Sequence, residues 1–350
     1  MDILYWLIAI LAFGLLIFIH EMGHYLTARL FRVKIYEFSI GMGPKLLTYT
    51  SKKTDIKYSL GMLPFGGYVS MAGEDEESDD PNALPNKAAW KRFIIVAAGA
   101  TMNLLLGMAL VLSVVIATPA LPSNTIRQFP ANEWYEKNEF VSSATYGLQA
   151  GDTIVAVNGT RVHTGYDMSY EIVHDGASEC AVTVLREGRE LTLAVRFPSS
   201  VEQGVGYGIA DFYVEPAEKS VGNVLRHTVS RTTTTVKMIW ESLIDLFAGK
   251  YGMEAVSGPV GVAGVIADTA ATSARDTVML IAVISINLGL VNIFPLPALD
   301  GGRLVFILIE MIARRPVPAK YEGIVHFIGF ILLMGLMVLV LFKDIFTLFS

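Results

Sequence analysis

His20-Glu21-Met22-Gly23-His24 sets two histidines four positions apart with a glutamate beside the first. On a helix, residues i and i+4 lie one above the other, so both imidazoles can reach one Zn²⁺. The glutamate is then placed to take a proton from an attacking water rather than to ligate the metal. The bland reading is two structural histidines on a helix. Their surroundings weigh against it, because residues 3–19 are an unbroken apolar stretch. His20 would lie about 25 Å along a span at ~1.5 Å per residue. Three ionisable groups at that depth are costly unless they serve a site.

A zinc hydrolase uses three protein ligands and leaves one position open. The single cysteine, Cys180, excludes a thiolate cage and an intrachain disulfide. His163, His174 and His227 fall in a polar segment, and His326 opens an apolar run without a motif around it. The better candidate is Asp300, in Asn292-Ile293-Phe294-Pro295-Leu296-Pro297-Ala298-Leu299-Asp300-Gly301-Gly302. The prolines stop a regular helix and the glycines permit a sharp bend. Such backbone is tolerated at membrane depth where it lines a polar cavity. The competing reading of Asp300 is a helix N-cap at the water interface.

The elements that must carry these residues follow from hydropathy. Of 350 residues, 53% are hydrophobic and 17% charged, with a mean hydropathy of +0.49. That excess of apolar residues argues against both a simple cytosolic enzyme and disorder. Net charge is −6 with no basic stripe, so no nucleic-acid partner is expected. Apolar runs at 3–19, 93–117, 277–294 and 324–342 each approach the ~20 residues that cross a bilayer. The first lacks a basic leader, since Met1-Asp2 runs straight into it, and is expected to be retained. Arg29, Arg32 and Lys34, then Lys87, Lys91 and Arg92, then Arg303, Arg314, Arg315 and Lys320 mark cytoplasmic ends. Asp300 and the two histidines then meet near the cytoplasmic side.

The expected architecture is a polytopic α-helical membrane protein of four spans, with a membrane-associated β-hairpin and an inserted extracytoplasmic PDZ-like β-rich domain. The first span covers 1–30, a cytoplasmic-side hairpin and loop 31–90, and the second span 91–118. The β-rich domain covers 119–217, and an amphipathic helix with a return loop 218–274. The third span takes 275–302, a short cytoplasmic segment 303–323, and the fourth span 324–350. Residues 46–50 and 56–60 flank a polar turn and read as the hairpin, whose exposed edge is expected to pair with an unwound substrate. An acidic run at 74–80 reads as a solvated loop. Along 221–247 apolar residues recur at helical spacing, with a break expected at the threonine run 232–235. Gly147-Leu148-Gln149-Ala150-Gly151-Asp152, with Asn158-Gly159 closing the next strand, is similar to the core signature of bacterial PDZ domains.

Taken together, the two metal-type motifs resemble the site-2 protease family of intramembrane zinc proteases. The details resemble its bacterial RseP-like branch: Pro64-Phe65-Gly66-Gly67-Tyr68-Val69 with Gly73-Glu74, the Gly99 to Asn103 stretch, one PDZ-like domain, and Ser257-Gly258-Pro259-Val260-Gly261. Ala98-Gly99-Ala100 departs from it by lacking the proline often found after that glycine. The resemblance implies zinc ligands His20, His24 and Asp300, with Glu21 as general base. It implies substrate contacts at Asn292, Pro295 and Pro297. Asn103 is a further substrate contact or else an interhelical hydrogen bond. It also implies a bacterial inner-membrane location and single-span substrates such as anti-sigma factors and remnant signal peptides. A membrane-anchored zinc protease cutting soluble or loop substrates at the cytoplasmic face is the alternative. A non-catalytic PDZ scaffold or metal transporter would not need Glu21.

Overall fold

The computed structural model describes residues 3–74, 78–202, 205–249, 257–315 and 317–349. Part of the acidic run (75–77) and the return loop at 250–256 lie outside the described residues. The chain forms two compact units, Met1–Leu110 with Ile239–Ser350, and Val111–Met238.

The first unit holds the candidate metal ligands. Its helices are α1 (Ile3–Leu30), α2 (Ala89–Ala117, which continues into the other unit), and the long α7 (Ala274–Ile293) and α9 (Ala319–Phe349). These four are long and apolar enough to cross a membrane. Their outward faces carry exposed leucines such as Leu4, Leu7 and Leu11, as expected of surfaces that meet lipid rather than water. Inside the bundle, small residues let backbones approach. A Cβ on Gly23 would sit 2.4 Å from the Ala98 carbonyl, and one on Gly289 2.8 Å from the Ala100 carbonyl. Prolines 295 and 297 end α7 at Ile293, and Phe294 is already extended.

Two helices of this unit were not anticipated. Residues read as part of a return loop form α6 (Pro259–Thr272), which starts with proline at its first turn and packs Ala263 and Ile266 against Ala9 of α1. Proline at that position was the available signal. The Asp344 carboxylate of α9 accepts from the amides of Gly258 and Gly261 at its start, at 3.3 and 2.8 Å. The stretch after the third span is α8 (Asp300–Ala313), which begins at the aspartate itself.

Between α1 and α2, β1 (Ile35–Thr50) and β2 (Lys57–Met71) fold into a small sheet. Gly41 and Gly43, at φ +79° and +81°, let β1 turn back on itself. Residues 35–40 therefore face 67–71 on one side and 57–60 on the other, while 45–50 face 57–61. The expected hairpin is present, but Tyr58 is interior to the sheet, opposite both Phe38 and Tyr49, with its hydroxyl 2.7 Å from that of Tyr25. The sheet has two margins, 45–50 on one side and 67–71 on the other. Glu37, bonded to Lys45 and Ser59, is held below the usual carboxylate range because those bonds outweigh the opposing effect of burial.

The second unit is β-rich. Strands β3 (Leu121–Gln128), β4 (Thr153–Val157), β6 (Cys180–Arg186), β7 (Arg189–Val195) and β10 (Tyr213–Ala217) run in the order β10-β3-β4-β6-β7, with β5 (Thr160–Arg161) beside β4. A separate pair is β8 (Ser199–Glu202) with β9 (Val205–Gly208). Helix α3 (Asn132–Asn138) precedes β4, and α4 (Gly165–Asp175) opens with a capping box between Thr164 and Asp167. Ile126, Leu148, Ile154, Ile172 and Val182 form its core. Asp152, fully buried, is held by Arg186 at 2.7 Å and accepts from the Gln149 amide. Helix α5 (Val221–Phe247) leaves this unit without the expected break. Thr233 and Thr235 return their hydroxyls to the carbonyls of Val229 and Arg231 at 2.9 and 2.8 Å. Ser230 bonds Thr164, and Lys237 pairs with Glu171, so tertiary contacts override the poor propensity.

Candidate metal centre

His20 and His24 project from one face of α1, and Asp300 reaches them from the first residue of α8. The Nε2 atoms of the histidines are 3.2 Å apart, and Asp300 Oδ2 is 3.1 and 3.3 Å from them. In a tetrahedral zinc site with bonds of 2.0–2.2 Å, ligand atoms stand about 3.4 Å from one another. The triangle matches that edge. Its electrostatics point the same way. His24 Nδ1 lies 2.8 Å from the Ile95 carbonyl, which fixes its proton there and leaves Nε2 as a bare lone pair. That lone pair faces a buried carboxylate oxygen and a second imidazole nitrogen. Three acceptors this close repel one another unless a metal ion or a shared proton lies between them. The donor set therefore fits Zn²⁺. The N-cap reading of Asp300 does not describe it, since Leu299 is the N-cap and the Asp300 side chain turns to the histidines.

Several backbone features make the triangle. A Cβ on Gly99 would lie 2.3 Å from His24 Nε2 and 2.8 Å from His20 Nε2, so only glycine lets the imidazoles rest on α2. Between α7 and α8, Ala298 adopts φ +72° and its amide donates to His326 Nδ1 at 3.0 Å. This bond to α9 holds the turn that delivers Asp300. Arg303, one turn later on α8, pairs with Glu74 just after β2, and Arg92 of α2 pairs with Glu310 of α8. In the sequence Gly99 stands out only as part of a stretch, and the His326 contact is not visible there. A histidine at the mouth of an apolar run is its one hint.

The triangle opens into a cavity of about 630 Å³. Glu21 lines it beside the candidate ligands, as do Tyr68 to Met71 of the sheet margin and Phe327 and Phe330 of α9. The residues expected to touch substrate divide. Asn292 is half-buried and Pro295 exposed, and neither lines this cavity; Pro297 packs against Gly329 of α9. Asn103 is fully buried with its amide 3.3 Å from His20 Nδ1. Of the two readings open for Asn103, its burial and this contact fit the interhelical hydrogen bond.

Comparison with known proteins bears on the same residues. The profile of peptidase family M50 matches residues 8–336, which include every member of the triangle. The chain belongs to peptidase family M50. A protein of Clostridium acetobutylicum, provisionally named a zinc metalloprotease, is 38% identical to this M50 chain over 97% of it and 96% of the relative. The zinc metalloprotease RasP of Geobacillus kaustophilus is 29% identical, covering 96% of each. The regulator of sigma-W protease RasP of Bacillus subtilis is 29% identical over 97% of this chain and 98% of its own. This M50 protein is accordingly a zinc metalloprotease with apolar helices suited to a multi-pass membrane position.

Proposed function

We propose that the protein hydrolyses peptide bonds within the membrane spans of single-span proteins. His20, His24 and Asp300 would hold zinc, and Glu21 would act as general base. The observation that carries this reading is the His20–His24–Asp300 triangle, set among helices long enough to span and open to a strand margin. Bound zinc supplies Lewis acidity and activates water at neutral pH. Glu21 then takes the proton of the attacking water and passes it to the leaving amine.

A helical substrate hides its amides, so it must unwind before it can be cut. Residues 68–71 border the cavity and face 35–40 on their other side. An unwound segment adding to that margin would gain main-chain hydrogen bonds without strict sequence choice. This role falls to 68–71 rather than to the hairpin's own margin at 45–50, because only the former lines the cavity. Basic residues beside the spans support an inner-membrane orientation with the site near the cytoplasmic side and the β-rich unit outside. That unit resembles a PDZ domain in its Gly151-Asp152 turn and Asn158-Gly159 corner, and we assign it to sorting substrates by size or by a new C-terminus. The name of the Bacillus subtilis relative supports anti-sigma factors as one substrate class; signal-peptide remnants share the single-span geometry.

The test is Glu21→Gln in reconstituted full-length protein. Zinc content should match wild type, and cleavage of a single-span substrate should fall by roughly 10²–10⁴. Wild-type protein that cuts only a soluble peptide of the same sequence would overturn the intramembrane reading.

A further inference from the structure

We propose that Asn103 is the positioning residue of His20, and that it presents its amide oxygen, not its nitrogen, to the ring. The inference rests on His20 being a metal ligand. His20 Nε2 points into the triangle, 3.1 Å from Asp300 Oδ2 and 3.2 Å from His24 Nε2, so it must be the lone-pair nitrogen. A neutral imidazole carries one N–H, which then sits on Nδ1. The Asn103 amide lies 3.3 Å from that Nδ1. An NH₂ group there would set donor against donor. The oxygen and nitrogen of an amide exchange by a half-turn of the side chain. At its other terminus, buried and without a hydrogen-bond partner, the oxygen gains nothing. With the oxygen inward, Nδ1–H donates to Asn103 and the ring is fixed in the tautomer that binds metal.

The arrangement on α2 is paired. His24 uses the Ile95 carbonyl and His20 uses the Asn103 side chain, eight residues further along one helix. Asn103 is itself anchored. Its backbone carbonyl accepts from the Ser285 hydroxyl of α7 at 2.8 Å, and both residues are fully buried. A single residue thereby joins α7, through α2, to a metal ligand on α1. Neither a substrate contact nor a generic interhelical bond requires this orientation.

The experiment compares Asn103→Asp, which keeps an acceptor oxygen, with Asn103→Leu, which keeps the volume without it. Zinc affinity of the full-length protein in detergent is measured by chelator competition, and ligand geometry by the visible spectrum of the Co²⁺-loaded form. We expect Asn103→Leu to bind zinc about 10–100-fold more weakly with an altered Co²⁺ band. Asn103→Asp should stay within about threefold of wild type or bind more tightly, since a carboxylate is the stronger acceptor. Ser285→Ala, which removes only the anchor, should show the same change to a smaller degree, and stands in if Asn103→Leu does not fold. Zinc affinity unchanged in Asn103→Leu, with only KM altered, overturns the proposal in favour of a substrate contact. So does an Asn103→Asp variant as weak as Asn103→Leu. Wild-type protein that binds no zinc would instead refute the ligand assignment on which the inference rests.

Discussion

Gly99→Ala should disable the metal centre while adding a single methyl group. The new Cβ would lie 2.3 Å from His24 Nε2, 2.7 Å from its Cε1, and 2.8 Å from His20 Nε2. Unstrained contacts lie near 3.5 Å, so the shortfall is about 1.2 Å on His24 and about 0.7 Å on His20. A free side-chain tip could swing away. His24 cannot do so without breaking the 2.8 Å bond from Nδ1 to the Ile95 carbonyl, because ring rotation moves both nitrogens. Parting the helices is also opposed, since Gly23 brings α1 onto the Ala98 carbonyl. Metal sites tolerate displacements of about 0.2 Å, several-fold less than the overlap. Zinc affinity should fall at least 10²-fold, about 2.7 kcal/mol. Chelator competition measures it, with Gly264→Ala as control, because a Cβ on Gly264 meets nothing within 4 Å. A Gly99→Ala protein with wild-type zinc affinity and cleavage would refute the argument that the imidazoles rest on this glycine.

Asp300→Ala should lower zinc occupancy and proteolysis together, both by at least ~10²-fold, as loss of one of three ligands requires; full zinc retention with normal turnover would remove Asp300 from the centre. Proline at Tyr68 and, separately, at Val69 should reduce cleavage of a helical substrate about tenfold or more at unchanged zinc content, and substrates with helix-breaking Gly or Pro near the cut should not escape; unchanged rates in both variants would exclude strand addition at this margin. His227 is nearly fully buried with Nδ1 unpartnered, and burial pushes its pKa below the ordinary value. Above about 6.5 it is neutral folded and unfolded, whereas below that value the unfolded chain takes the proton first, so the β-rich unit should lose stability as pH falls. Hydrogen exchange of α4 in full-length protein between pH 7.5 and 5 would show this, and His227→Gln should flatten the slope.

The candidate ligands are legible because their chemistry is local. Two histidines at helical spacing declare a shared face, and an aspartate in a proline-broken, glycine-rich stretch declares a turn at depth. The spanning helices were legible because the bilayer imposes one length and one composition. What supports the candidate ligands is hidden, because it depends on approaches between helices distant in sequence. Gly99 matters through atoms of His20 and His24, and Ala298 through a nitrogen of His326. The interior position of Tyr58 was hidden for another reason. A fold-back at Gly41 and Gly43 pairs residues 35–40 with two segments at once, and alternating hydropathy reports a strand without reporting how many neighbours it has. Helix α6 had a proline signal but lacks the amphipathic stripe that would have drawn notice.

The triangle has a consequence in time. His24 and Asp300 are roughly 275 residues apart along the chain, and at 5–20 residues per second a ribosome needs about 15–60 s to pass from one to the other. Throughout that interval the first helix carries two of the proposed ligands and the proposed base without the third. Closing so long a loop opposes assembly by about 5 kcal/mol of chain entropy, which helix packing must overcome before the aspartate arrives. On the proposed ligand set, a nascent chain therefore emerges without a finished metal centre. Tight metal retention becomes a measure of whether the last third of the polypeptide has docked onto the first.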